Sequence, residues 1–364
     1  MRIVYGVHGY GRGHATRALA VVQSLVVRHD LRLFAGGDAY DTLREYFPVQ
    51  RIPCLGFAYK SGRRSNWRTL KQNLPALADL LRTGPHLREV LERMKSFEPD
   101  AVICDAEPWT NAAGARLGVP RIGFDHFGIL AHCRVALPAG DWLRSIGDRM
   151  LYRWLMRWPQ RVLVSSFFSA PPEKPGVEIV GPLLGDDVRR ADATRGEHIL
   201  AYFNRGSVQV SQSLLAALGS IGREVRLYGV GRVGRSGRLS FRPPVREEFL
   251  RDLASCRAVL STAGNQLVGE AMAYAKPVLV VPESTVEQRL NAREIVRMGI
   301  GESLELGRLT AEAVRAFLGR ADLYAARAGQ LHRDGRADAI AWLERWLAEL
   351  GQRRYREAAV AVPA

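Results

Sequence analysis

The feature that most constrains this chain is a rhythm. A short β-branched apolar run, a loop of small residues and a helical stretch recur in that order from one end to the other. It is clearest from Val259 to Ile295. Ala258 to Leu260 reads as a buried strand, Ser261 to Asn265 as a small-residue loop, and Gln266 to Tyr274 as a helix. Pro277 to Val281 follows as a second strand, then a polar loop and a helix from about Glu287. Strands alternating with helices belong to α/β proteins with parallel, doubly wound sheets. Such sheets bind ligands beyond the carboxyl ends of their strands, so polar residues just past each strand are the functional candidates.

In this stretch Thr262, Ala263 and Gly264 let the backbone approach a ligand closely. The first N–H groups of the helix, which follows Asn265 and opens at about Gln266, have no partner within the helix and carry partial positive charge, which suits a phosphate. Glu270 lies one turn in and can accept hydrogen bonds from sugar hydroxyls; equally, it fits an ordinary helix carboxylate. Glu287 and Gln288 supply a second polar pair, completing the outline of a nucleotide-sugar pocket. In the second half another strand, His198 to Phe203, ends in Asn204, Arg205, Gly206 and Ser207.

The first half opens with a strand, Arg2 to Val7, running into HGYGRGH. Gly9, Gly11 and Gly13 permit a tight loop before a helix expected over Ala15 to Leu25. There is no GxGxxG, and the second strand, Leu31 to Ala35, ends in AGGD without the acidic residue of a dinucleotide site. His14 stands where loop becomes helix; it fits a general base, or a residue bonded to nearby backbone. A strand over Ala101 to Cys104 ends in Asp105 and Glu107, and Asp105 could orient an imidazole. Two carboxylates without a third ligand do not make a metal site. A strand over Pro120 to Phe124 ends in Asp125 and His126, a further polar cluster on the same edge.

The chain of 364 residues, 47% hydrophobic and 24% charged, suits a two-domain globular protein. No apolar run approaches the ~18 residues that span a bilayer, and the opening residues lack a signal peptide's pattern, so a cytoplasmic location is expected. Cys54, Cys104, Cys133 and Cys256 are scattered, as buried thiols are. The net charge of +15 is carried almost wholly by arginine, with five lysines. No nucleic-acid motif accompanies it, so a nucleic-acid partner is not expected. Lys60, Arg63 and Arg64 lie in an irregular basic stretch, either solvated or meeting an anionic acceptor. Asp141 to Arg161 interleaves three of the seven tryptophans with arginines. It reads either as a helix packed on its own domain or as a basic amphipathic helix at the inner face of an anionic membrane.

The opening RIVYGVHGYGRGH, the later FRPPV and the Ser261–Asn291 element together resemble the GT-B glycosyltransferases that use nucleotide-diphospho-sugars. That family includes the UDP-glucuronosyl/glucosyl, macrolide and peptidoglycan GlcNAc transferases. The resemblance covers nearly the whole chain and implies two facing Rossmann-like domains. Expected are an acceptor domain over 1–168, a linker over 169–188, a donor domain over 189–335, a terminal helix over 336–352 and a tail over 353–364. It implies an inverting hexosyl transfer from a UDP- or dTDP-type donor to a hydroxyl of a lipid, polysaccharide or small molecule, with no cofactor or metal. His14 would be the base, supported by Asp105. Gly11, Gly13, Asn204, Gly206, Ser207, Thr262, Ala263, Gly264, Asn265, Gln266, Glu270, Glu287 and Gln288 would hold the donor, and Glu107, Asp125 and His126 the acceptor. The sequence departs from the family's pattern where Thr262 replaces a diphosphate-contacting His, Ala263 a Gly, and Glu287 an Asp. A UDP-sugar 2-epimerase of the same fold and a non-catalytic sugar-nucleotide or membrane-surface binding protein are the competing readings.

Overall fold

The computed structural model describes residues 1–60, 63–204 and 206–360. Arg205, the last four residues of the expected tail, and the side chains of Lys60 and Arg63 lie outside the described residues.

The strands of the first half are β1 (Arg2–Val7), β2 (Asp30–Ala35), β3 (Val49–Arg51), β4 (Tyr59–Lys60), β5 (Arg63–Arg64), β6 (Ala101–Asp105), β7 (Arg121–Asp125), β8 (Arg161–Ser165) and β9 (Val177–Val180). β4 and β5 form a small antiparallel ribbon. The others make one sheet in the order β3-β2-β1-β6-β7-β8-β9, parallel throughout. β6 and β7 are buried along their full length, as strands covered on both faces must be. One face packs Leu25 and Val21 of the helix Arg12–Leu25 with Leu343 and Trp346 of the helix Arg336–Val360. The other packs Leu87, Val90 and Met94 of the helix Pro85–Phe97 with Trp109 of the helix Pro108–Arg116.

The second half supplies β10 (Ile199–Tyr202), β11 (Val225–Tyr228), β12 (Gly234–Ser236), β13 (Leu239–Phe241), β14 (Ala258–Ser261), β15 (Val278–Val280) and β16 (Gly301–Ser303). Their order is β12-β13-β11-β10-β14-β15-β16, parallel except where the edge strand β12 runs against β13. Both sheets are thus doubly wound: the first strand lies centrally, and the order reverses between β1 and β6 and between β10 and β14.

The chain divides into two compact units along lines that differ from the expected boundaries. Unit one comprises Met1–Gly56, Leu70–Leu183 and Gly335–Ala364; unit two comprises Phe57–Thr69 and Leu184–Asp334. The terminal helix belongs to unit one, because its apolar face (Ala339, Leu343, Trp346, Leu347) fills that unit's core. The stretch 169–188, expected as a linker, contains β9: its proline and glycine surround a short strand, Val-Glu-Ile-Val, that completes the first sheet. The segment Phe57–Thr69 of the first half is part of unit two.

Candidate functional site

In unit one the candidate residues gather at the carboxyl ends of β1, β6 and β7. The register pairs Val7 with Asp105, so the loop leaving β1 starts beside the end of β6. His8 N–H donates to the Asp105 carbonyl at 2.9 Å. The loop turns at Gly11, whose φ of 85° is a conformation that L side chains resist. Asp38 accepts from Gly11 N–H at 3.0 Å, and the helix begins at Arg12. Gly13 and His14 therefore sit in its first turn, three residues earlier than expected.

His14 is brought onto Asp105. Its Nδ1 lies 2.7 Å from Asp105 Oδ1. Arg17, one turn along the same helix, grips both carboxylate oxygens, with Nε 2.9 Å from Oδ2 and Nη2 2.6 Å from Oδ1. Burial alone would push the Asp105 carboxyl up, but Arg17 and His14 hold it below the usual carboxylate range. An ionised carboxylate against Nδ1 requires the proton on Nδ1, so the Arg17 guanidinium 3.1 Å from the same nitrogen is a neighbour, not a donor to it. In the neutral ring the lone pair is then on Nε2, which makes no hydrogen bond among the described residues. The His14 side chain is 25% exposed, whereas Asp105 is fully buried.

Glu107, Asp125 and His126 are buried. Glu107 is the N-cap of the helix Pro108–Arg116, accepting from Trp109 N–H at 2.6 Å and Thr110 N–H at 2.8 Å, and also from the Thr110 hydroxyl. Gly6 makes room for it: a Cβ there would stand 2.6 Å from the Glu107 carboxylate. Burial pushes the Glu107 carboxyl up to about 7 despite those bonds. Asp125 accepts from Gly128 N–H at 2.8 Å and from the Tyr152 hydroxyl; burial, then the charge of Asp105, raises its carboxyl above the ordinary range. His126 Nδ1 lies 3.1 Å from the Ser165 carbonyl.

In unit two the loop after β14 is the stretch expected to cradle a phosphate. Ala263 adopts φ 67°, its carbonyl accepts from Asn291 Nδ2 at 3.0 Å, and Gly264 is the N-cap of the helix Asn265–Ala273. Thr262, Asn265 and Gln266 are buried beside it. Glu270 is buried too, its Oε1 accepting from Arg246 Nη2 at 2.9 Å and Gln266 Nε2 at 3.2 Å. Arg246 also donates to Asp187 at 2.8 Å. Glu287 and Gln288 open the helix Val286–Met298, which Thr285 caps through Gln288 N–H at 3.2 Å. Gln288 Oε1 in turn accepts from Glu283 N–H at 2.8 Å. After β10, Gly206 touches the Gly229 carbonyl closely, Asn204 is half-buried and Ser207 exposed.

Arg17, Arg246 and Glu283 escaped the sequence reading, and Asp38 entered it only as the misplaced acid of AGGD. Glu283 accepts from the Tyr59 hydroxyl at 2.9 Å and from Gln209, joining three stretches of unit two. Arg17 has one sequence signal, its i+3 spacing from His14 on a helix. The others show none, because their partners are distant in sequence.

The comparisons agree with the fold. The model of the family described as glycosyl transferase family 1 matches residues 1–321. No curated protein sequence matches the chain. Among solved structures, the glycotransferase of kitacinnamycin is similar at 19% identity and a TM-score of 0.65, covering 94% of this chain and 98% of that one. The glycosyltransferase VinC, solved with dTDP, is similar at 18% identity and 0.60, over 97% and 100%. MurG of Acinetobacter baumannii is similar at 15% and 0.60, over 94% and 99%. The chain belongs to glycosyl transferase family 1 and is a glycosyltransferase of the GT-B fold.

Proposed function

We propose that the enzyme transfers a sugar, with inversion and without a metal ion, from a UDP- or dTDP-type nucleotide-sugar to a hydroxyl acceptor. The observation that carries this reading is the His14–Asp105 pair locked by Arg17, which leaves Nε2 as the proton acceptor. The acceptor oxygen attacks the anomeric carbon, its proton passes to Nε2, and the bond from that carbon to the diphosphate oxygen breaks. Asp105 stabilises the imidazolium that forms. The N-terminal end of the helix after Gly264 receives charge on the leaving diphosphate, and Glu270 and the Glu287–Gln288 pair accept hydroxyls of ribose and sugar. The dTDP bound by the similar VinC supports a donor of this class. An epimerase needs freely placed acids, and Glu107 is committed to its helix cap. The protein works in the cytoplasm.

The test has two arms. A thermal-shift panel of nucleotides and nucleotide-sugars should show a rise with UDP or dTDP compounds, since a ligand of the folded state stabilises it. With the donor so found, His14→Ala should lower kcat/KM by roughly 10²–10⁴-fold while keeping the thermal shift. Unchanged turnover would remove His14 from the chemistry.

A further inference from the structure

The helix Ala139–Leu155 turns its apolar side outward. Ser145 and Tyr152 are its buried residues, and Tyr152 is tied to Asp125. The opposite side carries Leu143 and Met150, 65% and 67% exposed, with Trp142, Ile146 and Leu151 beside them and Trp158 just beyond. The spacing 143, 146, 150 is one helical stripe. The segment does pack on its own domain, through Tyr152 and Leu155, with Met156 just beyond the helix, while the opposite side of the helix stays exposed. A second helix, in unit one from Leu70 onward, repeats the arrangement. In Asn66–Arg82 the residues Leu70, Leu74 and Leu81 are exposed while Leu80 is buried. Leu80 and Leu155 pack into one core cluster, so both helices cover the same face of the sheet.

We infer that this outward face binds the surface of an anionic lipid bilayer. Charge selects the occupant. The stripe 142–151 is accompanied by Arg144, Arg149, Arg153 and Arg157 against Asp141, Asp148 and the Glu173 that pairs with Arg149 and Arg153, and the second helix by Lys71 and Arg82. The whole chain carries +15. A second copy of the chain would bring like charges together around the contact, whereas anionic headgroups receive the arginines as the tryptophan and leucines enter the interfacial layer. Among the described residues no helix is long and apolar enough to cross a membrane, so the contact is one of lying on the surface.

Co-sedimentation of the full chain with vesicles of phosphatidylcholine and phosphatidylglycerol tests this. Wild type should pellet with the mixed vesicles, less so in high salt, and remain in the supernatant with pure phosphatidylcholine. The double variant Leu143→Glu/Met150→Glu should lose partitioning by roughly tenfold or more at unchanged Tm and unchanged turnover of a soluble acceptor. Wild type that never pellets, or a double variant that pellets equally, overturns the proposal. So does a double variant that merely dissociates a wild-type dimer, which would assign the face to a second copy. Vesicle binding together with an absence of donor turnover under all conditions would sink the transferase reading and leave the membrane face standing.

Discussion

Arg17 does more for the candidate base than its place in the chain suggests. It is 3% exposed, its partner Asp105 not at all, and the pair is close-packed against the imidazole. Removing the guanidinium leaves a buried carboxylate without its counter-charge. Arg17→Met should therefore cost about 3–5 kcal/mol, read as a lower urea midpoint. Arg17→Lys, with charge but no paired parallel donors, should recover only part of it. The site was legible where chemistry follows position: His14 and Asp105 announce themselves by standing just past apolar strands. It was not legible where roles depend on which N–H groups come within reach. Glu107 looked like a second free acid, yet the Pro108 that follows it, at the first helical position, is a cap signal. Arg17 and Arg246 were hidden among many arginines, distinguishable only once folding brought each to a carboxylate.

At the scale of elements, the helix Arg336–Val360 shows what sequence pattern reveals and withholds. Its amphipathic spacing foretold a packed helix, but nothing in it named the sheet it covers. Leu343 is fully buried in the core of unit one, together with Ala18 and Val21 of the helix Arg12–Leu25. Leu343→Ala should lower stability by about 2–5 kcal/mol, seen by calorimetry as a weakened transition, without altering the nucleotide binding proposed for unit two. Most strands survived as readable apolar runs. β9 was masked by its proline- and glycine-rich surroundings, and the β12–β13 hairpin by a glycine-rich stretch that turns at Gly237, φ 56°. In both, composition pointed to loop while pairing with a neighbouring strand decided otherwise.

For the molecule as a whole, buried histidines set the response to acid. Burial, then the neighbouring His14, lowers His8 from 6.5 to about 3; burial, then Arg153, lowers His132 to about 4. Below pH 6.5 the unfolded chain binds protons that these folded rings refuse, so both erode stability as pH falls. Glu107, raised from 4.5 to about 7, binds its proton more readily in the folded state and offsets one of them between pH 7 and 4.5. Stability to urea should thus decline from pH 6.5 and drop more steeply below 4.5. His132→Phe should decline less steeply than wild type down to 4.5, and an equal decline in that variant would refute the assignment. The doubly wound halves were legible because each strand–helix alternation is local; the assignment of segments to units was not, because it is decided by contacts across hundreds of residues. Unit one draws on residues from both sides of unit two in the chain. During synthesis on the ribosome, its sheet must wait with an apolar face uncovered until residues 336–350 emerge, by which time every residue of unit two has already left the exit tunnel's source. Nascent chains stalled shortly after residue 334 should therefore be the ones that chaperones hold.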